Sequence, residues 1–294
     1  MVMTKSAWVF PGQGSQATGM GLDLLPEAQA KFEQAKEILG WDVADICQDE
    51  TGKLSQTLYT QPCLYVVESV LADAIKAKGH QPDLVAGHSL GEYVALYTAG
   101  VFDFATGLSL VKQRAELMDK TSGGIMAALM GFDRDQLEAQ IQQTEGVVLA
   151  NDNNAGQVVI SGAPDAVEAV MANVKTKRAV KLNVSGAFHS PFMQEAATAF
   201  QAVLDGVTFQ DAAMPVLSNV DPTPATEAAT LKQRLSQQMT GSVRWREISL
   251  ALPEWGITQV IEVGPGKVLT GLIKRTSPSL ALVNVGAIAE IPAA

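Results

Sequence analysis

Gly87-His88-Ser89-Leu90-Gly91 decides how this chain is read. Leu84-Val85-Ala86 before it is a short apolar run suited to a buried strand. Glu92-Tyr93-Val94-Ala95-Leu96-Tyr97-Thr98-Ala99 after it continues with helical spacing until Gly100. A strand that stops, turns sharply on two glycines and starts a helix leaves the central serine at the apex. There it lies beside helix N-terminal amides able to stabilise an oxyanion. A β-carbon at either glycine would crowd the turn. G-x-S-x-G arises by chance in many chains, and its place between strand and helix is what makes Ser89 a candidate nucleophile. The plain alternative is a glycine-rich turn with a capping serine.

The 294 residues are 47% hydrophobic and 18% charged, which predicts a large core rather than disorder. The net charge of −10 argues against general nucleic-acid binding and against an anionic membrane surface. An acidic or phosphorylated partner would therefore need a local basic patch. Cys47 and Cys63 do not have C-x-x-C spacing, and no Cys/His metal site is visible. Ala7-Trp8-Val9-Phe10 is too short for a signal peptide, and no run approaches membrane-spanning length. A cytoplasmic enzyme is the expectation; a plastid stromal form with its transit peptide removed would look the same.

Strand Ala7–Phe10, the loop Pro11-Gly12-Gln13-Gly14-Ser15-Gln16, and helices over Ala28–Leu39, Pro62–Lys78 and Phe104–Lys120 alternate in the manner of a parallel sheet covered on both faces. Pro62 reads as the first turn of its helix. From Gly124 the rhythm changes to strand Ile125–Gly131, helix Arg134–Gln143, strand Val147–Ala150, turn Asn151–Gly156, strand Gln157–Ser161, helix Pro164–Lys175 and strand Ala179–Val184. That β-α-β-β-α-β order is ferredoxin-like. The expected class is α/β, a large subdomain over 1–123 and 190–294 with a small one inserted at 124–189. The larger pattern resumes with strand Pro215–Ser218, helices Thr226–Met239 and Trp245–Leu252, strand Gln259–Val263, helix Lys267–Arg275 and strand Ala281–Val285.

A serine hydroxyl needs an adjacent base. Of three histidines, His80 sits in the polar Gly79-His80-Gln81-Pro82, where a helix C-cap role fits. His88 directly precedes Ser89 and so faces the other way on the strand, as a packing residue under the elbow. His189, in Phe188-His189-Ser190-Pro191, lies where the insert returns to the large subdomain and is the expected base. No acid is marked by local context as its orienter, which leaves a carbonyl and hence a dyad as the reading.

Val9-Phe10-Pro11-Gly12-Gln13-Gly14-Ser15-Gln16, Gly87 to Glu92, Phe188-His189-Ser190 and Glu262-Val263-Gly264-Pro265-Gly266-Lys267-Val268-Leu269, in this order, resemble the malonyl-CoA:acyl-carrier-protein transacylase family. These are acyltransferases of fatty-acid and polyketide synthesis. The likeness runs from Trp8 to Val285. It implies a hydrolase-like large subdomain carrying a ferredoxin-like insert, and ping-pong transfer of malonyl from CoA to the phosphopantetheine thiol of acyl carrier protein through an ester on Ser89. By resemblance Gln13 and Leu90 supply oxyanion-hole amides, the main-chain carbonyl of Gln238 orients His189, and Arg114 binds the free carboxylate of malonate. Phe188, with Leu90, narrows the pocket against methylmalonyl, and Asn153 lies near it. No cofactor and no metal are implied; the partners are malonyl-CoA and acyl carrier protein, without nucleic acid or membrane, and a monomer is expected.

From the residues alone, Arg114 beside Glu116 reads as a solvated charge, Phe188 as core packing and Asn153 as a turn residue. Lys267, Lys274 and Arg275 with Arg244 and Arg246 are candidates for the basic patch an acidic carrier needs. Gly12-x-Gly14 after a strand mimics a dinucleotide fingerprint but lacks its βαβ unit. Gly264-Pro265-Gly266-Lys267 has the wrong spacing for a phosphate-binding P-loop. A serine esterase or thioesterase, a polyketide-pathway acyltransferase and a non-catalytic carrier-binding module are the alternative functions.

Overall fold

Every residue of the strand before Ser89, and four of the five in the first strand, are buried. A strand apolar on both faces needs helices on both faces, and this is how the chain folds. The computed structural model describes residues 5–293. β1 (Ser6–Phe10) is followed by α1 (Leu25–Leu39), α2 (Val43–Gln48) and α3 (Thr57–Ala77). β2 (Leu84–Gly87) leads into α4 (Gly91–Thr98) and α5 (Phe104–Asp119). Next come β3 (Ile125–Met130), α6 (Arg134–Gln143), β4 (Val147–Asn154), β5 (Gln157–Gly162), α7 (Pro164–Asn173) and β6 (Arg178–Lys181). The chain returns through α8 (Gln194–Asp205), β7 (Val216–Leu217), α9 (Ala228–Gln237), α10 (Trp245–Glu254), β8 (Gln259–Val263), α11 (Val268–Thr276) and β9 (Ala281–Val285).

The large sheet is parallel throughout, in the order β7-β2-β1-β8-β9. Side-chain alternation sorts its two faces. Trp8, Phe10 and Val85 join the core built with Leu64, Val67 and Leu71 of α3 and Val94 of α4. Ala7, Val9, Leu84 and Ala86 pack instead with Trp245, Ile248 and Leu252 of α10 and Leu272 and Ile273 of α11. The strand order reverses at β1, with β2 on one side and β8 on the other. Open α/β sheets form their ligand crevice at such a point, beyond the carboxyl ends of the strands.

Phe10 is in register with Gly87, so the Pro11–Gln16 loop and the elbow leave the sheet side by side. The His88 amide donates to the Phe10 carbonyl at 2.9 Å. Two glycines make the approach possible. A β-carbon on Gly91 would stand 2.0 Å from the Phe10 oxygen, and one on Gly87 would stand 1.9 Å from the Gly91 carbonyl carbon.

The second sheet, β4-β5-β3-β6, is antiparallel, with the first and third strands of the insert at its centre and α6 and α7 packed on it. The expected turn over 151–156 is not one. β4 runs on through Asn154 with two register irregularities, leaving only Ala155 and Gly156 to turn. The polar stretch stays extended through backbone pairing with the segment at Val243 and through partners for the Asp152 carboxylate. Asp152 N donates to the Val243 carbonyl, and Val243 N to that of Ala150, at 2.9 and 2.8 Å. The buried Asp152 carboxylate receives Arg134 Nη2 at 2.8 Å and Arg246 Nε, from α10, at 2.9 Å.

Other differences from the sequence reading have similar causes. α3 begins at Thr57 and carries Pro62 in its interior rather than in its first turn. The last strand of the insert stops at Lys181, and the chain then runs without regular structure toward His189. α2 and α8 were not anticipated, although α8 buries Ala196, Ala197, Phe200 and Leu204 at helical spacing. At the end of α3 the His80 amide donates to the Ile75 carbonyl at 3.4 Å, as a C-terminal cap does, while its ring meets the Pro292 carbonyl at 3.1 Å.

Asp152 thus ties the antiparallel sheet to α10, and its loss strands two partly buried guanidinium groups. Asp152→Ala should lower unfolding stability by about 2 kcal/mol, measured by urea denaturation. A change inside experimental error would show that the triad contributes no net stability.

Candidate active site

Among the described residues only two non-glycine residues have positive φ, Ser89 at 52° and His189 at 55°. Left-handed backbone is disfavoured for a side chain bearing a β-carbon and persists only where the surroundings enforce it. Here the two residues face one another: Ser89 Oγ lies 2.8 Å from His189 Nε2.

The elbow is held by a residue that the sequence reading passed over. Asn219 follows β7, which pairs with β2, and is therefore delivered beside the apex. Its Oδ1 accepts from Ser89 N at 2.7 Å, and its Nδ2 donates to the Gly87 carbonyl at 2.6 Å. The only signal in the sequence is an asparagine at the end of an apolar run, which is also a common turn signature.

His189 Nδ1 meets two carbonyl oxygens, Gln238 at 3.0 Å and Gly241 at 3.1 Å. Both can only accept, so Nδ1 carries the proton and Nε2 presents its lone pair to the serine hydroxyl. Burial, followed by the Arg114 charge, pushes the imidazole down to about 3, against which the two carbonyl contacts push up. The ring is neutral at physiological pH.

Arg114, on α5, is 1% exposed. It is not the solvated charge its neighbourhood in the sequence suggests. Nη1 donates to Gln61 Oε1 at 2.6 Å; Nη2 donates to Gln238 Oε1 and to Ser89 Oγ, both at 3.1 Å. The guanidinium lies over the Tyr93 ring at 5.4 Å, and its Nε has no partner among the described residues. All of its acceptors are neutral, and no carboxylate is within ion-pair distance. A buried cation so arranged is costly alone and favours an incoming anion. Gln61 was missed because Pro62 placed the helix start after it.

These groups surround a cavity of about 190 Å³ lined by Gln13, Ser89, Leu90, Arg114, Asn153, Phe188 and His189; Gln238 stands behind it. The Gln13 side chain is tethered to Thr57 Oγ1 at 3.1 Å. The main-chain amides of Gln13 and Leu90 donate to no acceptor among the described residues. Asn153 is a strand residue, and its Oδ1 meets His88 Nε2 at 2.9 Å. His88 packs its ring 5.5 Å from that of Trp245, as a residue beneath the elbow should, but it also lines the cavity. Of the basic candidates, Arg244 pairs with Glu247 and Arg246 with Asp152, so neither is free; Lys267, Lys274 and Arg275 are exposed. Among the described residues no cluster of three or more His, Cys, Asp or Glu could hold a metal, and no helix is long and apolar enough to cross a membrane.

A serine and a neutral imidazole in contact, two unengaged amides, and a buried guanidinium within reach of the same hydroxyl are the groups that acyl transfer of an acidic acyl group calls for. The chain belongs to the acyl transferase domain family, which it matches over residues 7–291. A malonyl CoA-acyl carrier protein transacylase of Synechocystis is 60% identical over 289 residues, covering 98% of this chain and 99% of the relative. The crystal structure of the Synechocystis sp. PCC 6803 malonyl-CoA:ACP transacylase superposes with a TM-score of 0.96, again over 98% and 99% of the two chains at 60% identity. A polyketide-biosynthesis malonyl CoA-acyl carrier protein transacylase of Bacillus subtilis is 43% identical over 276 residues, covering 91% of this chain and 96% of that one. A malonyl-transacylase solved in complex with its type II polyketide acyl-carrier protein, 37% identical, superposes at 0.93 over 98% of both chains.

The environment of His189 sets a pH dependence. Its folded pKa lies below the ordinary 6.5, so the neutral ring favours the folded state above that value. This contribution to stability is lost as pH falls from 6.5 toward 3. NMR of the ring protons should show His189 untitrated from about pH 8 to about pH 5. A midpoint near 6.5 would mean that water reaches the ring.

Proposed function

We propose that this protein transfers malonyl from malonyl-CoA to the phosphopantetheine thiol of acyl carrier protein through a malonyl-Ser89 ester, supplying fatty-acid elongation. His189 Nε2 takes the hydroxyl proton as Oγ attacks the thioester carbonyl. The negative charge of the tetrahedral intermediate falls on its oxygen, where the Gln13 and Leu90 amides receive it. One such donor is typically worth about 3–4 kcal/mol of barrier. On collapse the C–S bond breaks and the CoA sulfur takes the proton from His189. The carrier thiol then enters by the same steps in reverse, giving its proton to His189 while Oγ leaves and recovers it.

The observation that carries this reading is the position of Arg114, buried with neutral partners only and 3.1 Å from the nucleophile oxygen. A malonyl group on Ser89 would bring its carboxylate to that guanidinium, whose planar fork matches two carboxylate oxygens. Neutral acyl groups leave the charge unpaired. The arriving carboxylate also offsets the Arg114 charge that depresses His189, which makes the imidazole a better base once the correct substrate is bound. Phe188 narrows the cavity against an α-methyl group, an effect of about 1–3 kcal/mol. Asn153 helps to shape the wall through His88. Exposed Lys267, next to the cavity residue Val268, and Lys274 and Arg275 in the last turn of the same helix supply positive charge for an acidic carrier.

Intact mass spectrometry after incubation with malonyl-CoA should show one malonyl adduct, absent in Ser89→Ala. Free malonate produced rapidly without any acceptor thiol would instead indicate a thioesterase. Arg114→Ala should lower the rate of malonyl loading by about two orders of magnitude while sparing much of the slow acetyl loading. Equal losses on the two acyl groups would remove the carboxylate role from Arg114.

A further inference from the structure

Resting on the malonyl reading, we propose that Glu92 is a positioning residue that fixes the orientation of the Gln238 side-chain amide and thereby sets the preference for a carboxylated acyl group. Glu92 lies one helical turn beyond Ser89 and is fully buried. Its Oε2 receives Gln238 Nε2 at 2.8 Å and Asn219 N at 3.1 Å. Gln238 Nε2 also donates to the Ser89 carbonyl at 2.9 Å, while Gln238 Oε1 faces Arg114 Nη2 at 3.1 Å.

Burial pushes the Glu92 carboxyl up from its ordinary range, and the Gln238 and Asn219 contacts pull it back down. The oxygen that takes Gln238 Nε2 and Asn219 N acts as an acceptor toward both, so it selects one of the two faces of this amide. With nitrogen toward Glu92, the amide makes three hydrogen bonds. Turned over, it would set an oxygen against the Glu92 carboxylate and the Ser89 carbonyl, and an NH₂ group against the guanidinium. Three attractions would become three repulsions. The Gln238 amide also stands between the two charges. Glu92 meets Arg114 through one amide instead of pairing with it, and this leaves the guanidinium able to engage a carboxylate arriving from the cavity. Were Glu92 in direct contact with Arg114, substrate would have to displace it. Glu92 therefore acts on selectivity through a neutral intermediary, without touching substrate.

The test is a double-mutant cycle read as the ratio of Ser89 loading rates with malonyl-CoA and acetyl-CoA. Methionine replaces each side chain with an unbranched apolar one of similar length, and Gln238→Met keeps the main-chain carbonyl that holds His189. Glu92→Met and Gln238→Met should each lower the malonyl-to-acetyl ratio by about tenfold or more, and the double variant should be no lower than the worse single variant. A general loss of structure would depress both loading rates alike and leave the ratio unchanged, which overturns the proposal, as do losses that multiply in the double variant. Glu92→Gln covers the case in which Glu92→Met fails to fold. It can keep an acceptor oxygen facing Gln238 and Asn219, so its ratio should stay within about threefold of the parent protein. A larger fall would assign the role to the charge of Glu92 rather than to amide orientation. If the unmutated protein forms no malonyl adduct at all, it is the proposed function that fails, and the cycle is not then the cause.

Discussion

The left-handed backbone at Ser89 is the constraint on which the rest of the site depends. At a residue with a β-carbon it costs about 1–3 kcal/mol, and the fold must supply that from elsewhere. It does so in two ways. Gly91 removes the atom that would collide with the end of β1, Gly87 the one that would collide with the start of α4, and Asn219 bridges the amide of Ser89 and the carbonyl of Gly87. The geometry so enforced points Oγ out of the sheet toward His189 and leaves the Leu90 amide at the start of α4 unengaged.

The parallel sheet explains why groups so distant in sequence meet there. β1, β2 and β7 all end at the same edge, which brings the Gln13 loop, the elbow and Asn219 to one crevice. Helix α3 covers one face with α5 packed on it, and the two present Gln61 and Arg114 from behind. The segment after α9 brings Gln238 and Gly241 under His189, and the same segment continues to Val243, which pairs with β4 of the antiparallel sheet. Orientation of the base and docking of the smaller sheet therefore share a few residues of backbone. The buried polar groups form one connected network, Asn219–Glu92–Gln238–Arg114–Ser89, in which nearly every donor has an acceptor. Such a network is rigid when complete and costly when interrupted.

Much of this was legible in order and periodicity. The change from strand–helix alternation to β-α-β-β-α-β at Gly124, the glycines of the elbow, and the choice of His189 among three histidines all follow from local pattern and elimination. The misreadings have a common form. Asn151 to Asn154 looked like a turn because polar residues with a following glycine usually are one, yet pairing with Val243 and the Arg134–Asp152–Arg246 triad hold them extended. Pro62 looked like a helix start, whereas α3 begins five residues earlier and so carries Gln61 to Arg114. Arg114 itself looked solvated, because a charged residue near a glutamate on a helix usually is.

The amino-acid sequence alone carried the order of most elements and the apex on which the serine stands, because backbone sterics and hydrophobic period act over a few residues. Only the tertiary structure decided which side chains surround that serine. Arg114 meets Gln61 and Gln238 across separations of 53 and 124 residues, and Asn219 reaches Ser89 across 130. Whether a guanidinium is wet or buried, and whether its neighbours are carboxylates or amides, depends on which distant segments the sheet brings together. No local pattern carries that information, since burial and electrostatic environment are properties of the packed chain.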